Sequence, residues 1–511
     1  MTPLPKHGPL PVIRPSIGIN PSREEFEITL RVLGFCIKSR DSITVDTPLG
    51  HVISIIQNDL EVHKGEINEN FSTPSVSKTT HIPAKSSPKE GSRRKCYICR
   101  FQLSSTHPQY PSLCKPCGDF NLASCDISAP ANLCLKSRTA LVTGGRVNLG
   151  YHTAIRLLRC GAKVIVSTRY PRDAEDRYLA QKDSSEWSQS LRIVGADFRI
   201  ASDVFHMITV VKECLLEWCE NGDAKLDILV NNAAQTLTDS VDTERNAVVR
   251  EGQLQISGTH AGPKLLLDQD YKSRVRGGVQ SPQMLGSTDK PLHITSLAEG
   301  NSLEVGSDCA PADGATPVTT VSVVPAESLK SSWMQSISQV PYEDIISAHS
   351  VNTFVPLILV RELLVLMGSA TLTPPTASSS NTPSKPLAYI INVSSREGIF
   401  ESNPNSSAKH GHHVHTNLTK AALNMLTETE ASPAWRSRKV AMNTVDPGYM
   451  SAAPEIMEQW KENGRSGCPI GWEDGVGRVL WPIAVGERSE PVWGRFLKHF
   501  GKVEVDVGVG R

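Results

Sequence analysis

The sequence has no excess of charge of either sign: 53 Lys and Arg stand against 53 Asp and Glu in 511 residues. Without a basic or acidic surplus, the totals point neither to nucleic acid nor to an anionic membrane as a partner. No secretory signal is legible in MTPLPKHGPLPVIRP, which is broken by proline and holds no apolar core. An uninterrupted membrane-length apolar run is missing too: the most apolar stretch, Val351 to Met367, is short and is broken by Arg361 and Glu362. Twelve cysteines without an export signal imply a reducing compartment, cytoplasmic with the nucleus as alternative, where thiols bind metal or sit buried. A chain of this length folds as one large or two ordinary domains.

Glycine and proline are unevenly spread, and that unevenness marks the linkers. Residues 1–22 read as a disordered Pro-rich lead. Residues 23–64 carry apolar patterning (Phe26, Ile28, Leu30, then Val52, Ile53, Ile55) with no assignable role, and 65–95 form a Ser/Thr/Lys/Pro-rich linker. A cysteine-rich module spans 96–134. From 138 onward short β-rich runs alternate with amphipathic helices. Strands are expected over Arg138–Thr143, Lys163–Ser167, Leu191–Asp197, Leu226–Asn231, Leu387–Val393 and Val440–Val445, with a short last one near Trp493–Phe500. Helices are expected over Leu149–Arg159, Val204–Glu220, Tyr342–Met367 and Thr416–Glu430. Strands separated by helix-length crossovers make an α/β, doubly wound parallel sheet of Rossmann type over 138–500. Two low-complexity stretches, 237–338 and 371–386, interrupt it and read as long disordered insertions.

The first strand runs directly into Thr143-Gly144-Gly145-Arg146-Val147-Asn148-Leu149-Gly150, where a helix begins. A strand, a glycine turn and a helix N-terminus are what a pyrophosphate needs: amides aimed at it, a favourable dipole, and no side chains in the way. The second strand ends in Ser167-Thr168-Arg169, with no acid to accept from a ribose 2′-hydroxyl. A guanidinium there can fork onto a 2′-phosphate, which favours NADP(H).

These residues resemble the short-chain dehydrogenase/reductase family, whose turn reads T-G-x-x-x-G-x-G. Thr143, Gly144 and Gly150 match, and Asn148 replaces the middle glycine, a residue tolerant of left-handed backbone. Asp197, ending the third strand, stands where the family makes an adenine contact. Asn231-Asn232-Ala233-Ala234 resembles its N-N-A-G. The resemblance implies a reaction centre of Asn352, Ser395 (of the pair Ser394-Ser395) and Lys420, which also binds ribose, with Pro447 and Gly448 beside the nicotinamide. It implies hydride transfer to or from a small carbonyl or alcohol, and association as a homodimer or homotetramer. It covers roughly 138–236 and 341–500, in a divergent branch with a cysteine-rich leader.

Four residues before Lys420 the family has Tyr, and this chain has Thr416. A phenol beside an ammonium can be drawn toward neutrality, whereas an aliphatic hydroxyl is far less acidic. Substitute proton donors lie close: His415 next to Thr416, His412 a turn upstream, or Tyr449 after the Pro-Gly turn. His410, His412, His413 and His415 equally decorate a loop, and no carboxylate or cysteine completes a metal site with them. Two functions stay open: an NADP(H)-dependent oxidoreductase with an unusual proton donor, or a non-catalytic dinucleotide-binding sensor or scaffold.

Cys96-x2-Cys99 and Cys114-x2-Cys117 form two knuckles separated by 14 residues. That spacing offers four thiolates to one structural Zn2+ with no open coordination position. His107 is an alternative ligand, and Cys125 and Cys134 are spare.

Overall fold

The computed structural model describes residues 94–103, 105–219, 223–257, 265–268, 270–276, 331–369, 385–400, 409, 411–451, 454–462 and 467–503. The lead, the 23–64 region, nearly all of the linker, most of both low-complexity stretches and His410 lie outside them. Eight strands form one sheet in the order β3-β2-β1-β4-β5-β6-β7-β8. They are β1 (Thr139–Thr143), β2 (Lys163–Thr168), β3 (Leu191–Gly195), β4 (Ile228–Asn231), β5 (Ala388–Val393), β6 (Val440–Asp446), β7 (Phe496–Lys498) and β8 (Gly501–Lys502). All pairings are parallel except β7 with β8.

Parallel strands are covered on both faces, which is why they are apolar almost throughout. In β1, Ala140 and Val142 enter one core while Leu141 enters the other, as the two-residue period of a strand requires. The first core holds α2 (Asn148–Arg159), with Leu157 and Leu158, and α10 (Trp472–Glu487), with Val479 and Leu480. The second holds α4 (Ala201–Glu217), α7 (Val355–Leu363) and the later part of α8 (Val414–Arg438). Helix α1 (Lys115–Asp126), part of the cysteine module, lies against α10. Helix α3 (Pro171–Leu179) follows β2, and α9 (Pro454–Glu462) precedes α10.

Three departures from the sequence reading have physical causes. The expected Tyr342–Met367 helix divides into α6 (Tyr342–His349), a π-helical turn (Ser350–Phe354), α7 and a 3-10 turn. Pro356, in the first turn of α7, has no N–H to offer the carbonyl of Asn352, and the ladder slips there. By length and composition Tyr342–Leu366 is apolar enough to cross a membrane, although Glu343, Asp344, Arg361 and Glu362 lie within it. Here Val355, Leu359, Val360 and Leu363 are packed into the second core.

The 237–338 insertion is also partly built into the fold, which corrects the expectation of disorder over its first third. Val241–Ser257 is a helix, α5. Leu265 and Leu267 then exchange backbone hydrogen bonds with Ile193 of β3, both 2.8 Å. Tyr271 lies on Gly195 so closely that a Cβ there would sit 2.1 Å from the ring. The open edge of β3 is a row of unpaired backbone groups, and this segment covers it.

The third departure is α10, which the glycines and proline of WEDGVGRVLWPIAVGE conceal. Those glycines serve close packing: a Cβ at Gly477 would meet Cys125 Sγ at 2.7 Å, and one at Gly486 the Tyr389 ring at 2.7 Å.

Candidate functional site

At the C-terminal end of β1 the turn is clasped by the end of β4. Thr143 Oγ1 accepts from the N–H groups of Asn232 and Ala233, both at 3.0 Å. Asn232 Nδ2 donates back to the carbonyls of Thr143 (3.0 Å) and Gly144 (3.3 Å). Gly144 has φ +69°, and a Cβ on it would lie 2.9 Å from Ala233 Cα; a Cβ on Gly150 would lie 2.3 Å from the Gly144 carbonyl oxygen. Asn148 takes φ +54°, the left-handed conformation expected of it. No side chain caps α2, so the amides of its first turn, Asn148, Leu149 and Gly150, are left for an anion to bind.

Arg146 is turned away from that turn. Its guanidinium donates to Asp173 (2.7 Å) and lies over the Tyr170 ring. Asn231 donates to Asn392 Oδ1 at 2.8 Å and ties β4 to β5 inside the sheet.

At the ends of β2 and β3, the expected Arg169 and Asp197 are joined by Arg199, Asp239 and Glu244. Arg169 Nη1 donates to Glu244 Oε1 of α5 at 3.1 Å, and its Nη2 lies 3.5 Å from Asp239. Arg199 binds Asp197 with Nη2 at 2.6 Å and reaches Glu244 with Nη1 at 3.1 Å. Burial opposes the charge of Asp197, but Arg199 holds it below the usual carboxylate range. Asp197 thus spends its oxygens on Arg199, and the Arg169 fork is taken up by the insertion's own acids. Arg199 and Glu244 carried no signal in the sequence, since both lie outside the matching motifs.

At the ends of β5 and β6 the residues expected at a reaction centre come together. Asn352 sits in the π-helical turn, where Oδ1 accepts from Gln235 N (2.7 Å) and Nδ2 donates to Gln235 O (3.0 Å) and Thr419 Oγ1 (3.1 Å). It fixes the loop after β4 to α8. Ser394 is buried and donates to Asn424 Oδ1 at 2.7 Å. Ser395 is half-buried and accepts from Glu397 N at 3.2 Å. Lys420 Nζ donates to the Val393 carbonyl at 3.0 Å; burial pushes it down to about 8, against the pull of Asp446. Asp446 accepts from the amides of Arg396 and Gly448 and is paired with Lys498, which orders the Pro447-Gly448 turn.

Thr416 lies one helical turn from Lys420, is 2% exposed, and its hydroxyl has no hydrogen-bond partner. His415 is turned by about 100° from Thr416 on the helix, and the charges that act on it are Asp344 and His349 of α6. Both its ring nitrogens are buried without partners, and burial lowers its pKa. His413, at φ +57°, stacks on Trp333 at 3.7 Å between ring centres. Tyr449 follows the turn; burial, with the charges of Cys468 and Glu397 adding to it, pushes its phenol up, so it keeps its proton at neutral pH.

The sulfurs of Cys96, Cys99, Cys114 and Cys117 lie within 4.8 Å of one another. Cys96, Cys99 and Cys114 are buried and Cys117 is half-buried, and Cys96 Sγ accepts from the Cys114 N–H at 3.4 Å. His107 is not among them: its Nε2 pairs with Asp119 and its Nδ1 accepts from Gln109 N. The module is bolted to α10. Asp474 accepts from Tyr110 Oη (2.6 Å) and Asn121 Nδ2 (2.7 Å), and buried Arg478 donates to Asn121 Oδ1 (2.6 Å). Tyr97 reaches the turn after β6, where its Oη accepts from Tyr449 N at 2.8 Å.

The strand order, the glycine turn and its clasp define a Rossmann-like dehydrogenase fold. Residues 138–273 match the family model described as short chain dehydrogenase. The chain is 27% identical over 410 residues, 78% of this chain and 73% of the relative, to the uncharacterized protein R665 of Acanthamoeba polyphaga mimivirus. Among solved structures it is similar to the promiscuous reductase LugOII, which catalyses keto-reduction at C1 in lugdunomycin biosynthesis (TM-score 0.38, 21% identity, 71% of this chain and 96% of that one). The angucycline C-6 ketoreductase LanV with bound NADP matches at TM-score 0.39 and 18% identity (72% and 95% covered). RhlG of Pseudomonas aeruginosa, in an NADP complex, matches at 0.38 and 17% (71% and 95%).

Proposed function

We propose that this chain is an NADP(H)-dependent oxidoreductase acting on a small carbonyl or alcohol, with Tyr449 in place of the family's tyrosine as proton donor. The observation that carries the reading is the clasp of Asn232 on Thr143 and Gly144, which shapes the turn for a diphosphate and presents the amides of α2. The dinucleotide, when bound, supplies a hydride to a carbonyl carbon or removes one from an alcohol. Ser395 would donate to the carbonyl oxygen, while Asn352 fixes the loop after β4 against α8. Tyr449, protonated at neutral pH, holds the proton that the oxygen receives. Lys420 is the residue that would meet the ribose.

A second reading, a dinucleotide-binding sensor or scaffold without turnover, is favoured by the orphaned Thr416 hydroxyl and by His415 facing α6. One experiment separates the two: binding of NADPH by fluorescence, then NADPH oxidation against ketones, aldehydes and quinones. Tight binding with turnover that falls at least a hundredfold in Tyr449→Phe supports the enzyme. Tight binding with no turnover of any substrate supports the sensor. No binding removes both.

Two further parts belong to this reading. Cys96, Cys99, Cys114 and Cys117 would hold one tetrahedral Zn2+, with a structural role because all four positions are thiolates. Such thiolates persist in a reducing compartment, cytoplasmic or nuclear. Phe354 of the π-helical turn, Leu357 of α7, and Leu418 and Met425 of α8 are exposed apolar side chains. They suit a homodimer or homotetramer formed through these helices, which sedimentation of a Leu357→Glu variant as monomer would support.

A further inference from the structure

Glu244 stands in the first turn of α5, at the C-terminal ends of β2 and β3, and its side chain is 2% exposed. A lone buried carboxylate is costly, and this one is held as an anion is held in a binding site. Its Oε1 accepts from Arg169 Nη1 (3.1 Å) and Arg199 Nη1 (3.1 Å), and its Oε2 from Arg199 Nη1 (3.2 Å) and the backbone N–H of Arg276 (2.8 Å). The set is nevertheless incomplete. Arg276 Nε is buried with no hydrogen-bond partner, 3.8 Å from Oε1, too far for a bond. A carboxylate has two oxygens to give, while a phosphate monoester has three, one more acceptor than Glu244 supplies to these donors.

We propose that Glu244 is an internal stand-in for the 2′-phosphate of an adenosine, and that Arg169, Arg199 and Arg276 form a 2′-phosphate site which the dinucleotide enters by displacing it. The inference rests on the dinucleotide-binding reading above and adds the residue that sets cofactor choice. Charge decides why displacement is needed. The three guanidinium groups face four carboxylates, Glu244, Asp197, Asp239 and Asp344, the last accepting from Arg276 Nη1 at 3.3 Å. With Glu244 in place the cluster is a net anion and rejects phosphate; with Glu244 out it is neutral, and a phosphate can bind with full hydrogen bonding. The rest of α5 is anchored separately, since Glu251 accepts from the amides of Arg172 (2.5 Å) and Asp173 (3.0 Å) at the start of α3. Its first turn can therefore give way while the helix stays docked.

The full chain and Glu244→Gln are titrated with NADPH, NADH, adenosine 2′,5′-bisphosphate and adenosine 5′-monophosphate. The expected result is a gain of at least tenfold in affinity for the two 2′-phosphorylated compounds, with the other two changed by less than twofold. Unchanged or weaker binding of NADPH by the variant overturns the proposal. A tenfold loss for NADH alone also overturns it, because Glu244 would then be accepting from a ribose hydroxyl. If neither protein binds any of the four compounds, it is the dinucleotide reading that has failed. Should the variant not fold, hydrogen exchange on the unaltered chain decides. Saturating NADPH, but not NADH, is expected to speed exchange in 241–248, and equal protection with both nucleotides overturns the proposal.

Discussion

Tyr97 of the cysteine module accepts a 2.8 Å hydrogen bond from the backbone N–H of Tyr449, on the turn that follows β6. The contact is part-buried, and Tyr97 also lies edge-on to His499. Tyr97→Phe leaves the packing but orphans the Tyr449 amide, at a cost of about 1–3 kcal/mol. Hydrogen exchange at Tyr449 is expected to accelerate roughly tenfold or more, with bound zinc unchanged. Equal protection in both proteins would show that the turn does not depend on the module.

The same contact makes metal removal legible at a distance. Chelation is expected to release about one zinc ion per chain and to unfold a module that has only a small apolar cluster of its own, Ile98, Tyr110 and Leu113 among them. Asp474 and Arg478 of α10 would then lose Tyr110 and Asn121, so buried charges would be left with fewer partners. A fall of several degrees in melting temperature, with exposure of the 447–449 turn, is the expected outcome. Metal loss with no change in melting would separate the module from the core.

The parts legible in the sequence are those where backbone geometry or ligand spacing dictates residue type. Gly144 and Gly150 are demanded by close approach and Asn148 by a positive φ, and the cysteine pairs bring four sulfurs within 4.8 Å of one another. The strands were legible because burial on both faces makes them apolar runs. Glu244, by contrast, sits in a polar stretch whose helix α5 has little amphipathic pattern, and its meaning depends on Arg199 and Arg276, 45 and 32 residues away. Helix α10 was hidden because its glycines answer to Cys125 and Tyr389, partners no local window contains. The direction of His415 follows from helix phase, but its neighbours on α6 follow only from the fold.

Thr416 offers a test of what replaced the tyrosine. Its hydroxyl is buried without a partner, so exchange for a methyl of the same shape removes a desolvation cost and keeps the packing. Thr416→Val is expected to be neutral or up to about 1 kcal/mol more stable, with any NADPH-dependent turnover within twofold of the unaltered chain. A hundredfold loss of turnover would place the proton donor at Thr416 itself and remove Tyr449 from that role.

The histidines at the start of α8 give the fold a defined sensitivity to acid. Burial carries His413 down to about 4, with His412 and His415 adding to it and the Trp333 backbone opposing, and burial likewise lowers His415. In the unfolded chain each titrates near its ordinary value of about 6.5. Between pH 6.5 and 4 the unfolded state therefore binds more protons, so stability is complete above 6.5 and declines as pH falls through that window. His413 contributes about 1–2 kcal/mol of loss between pH 6.5 and 5. His413→Asn removes the titration while keeping a residue that accepts φ +57°, although it gives up the stack on Trp333. Its melting temperature is expected to start lower at pH 7 and to fall less steeply toward pH 5. Parallel curves for the two proteins would mean that His413 does not change protonation on unfolding, and the acid response would have to be assigned to His415 and the carboxylates.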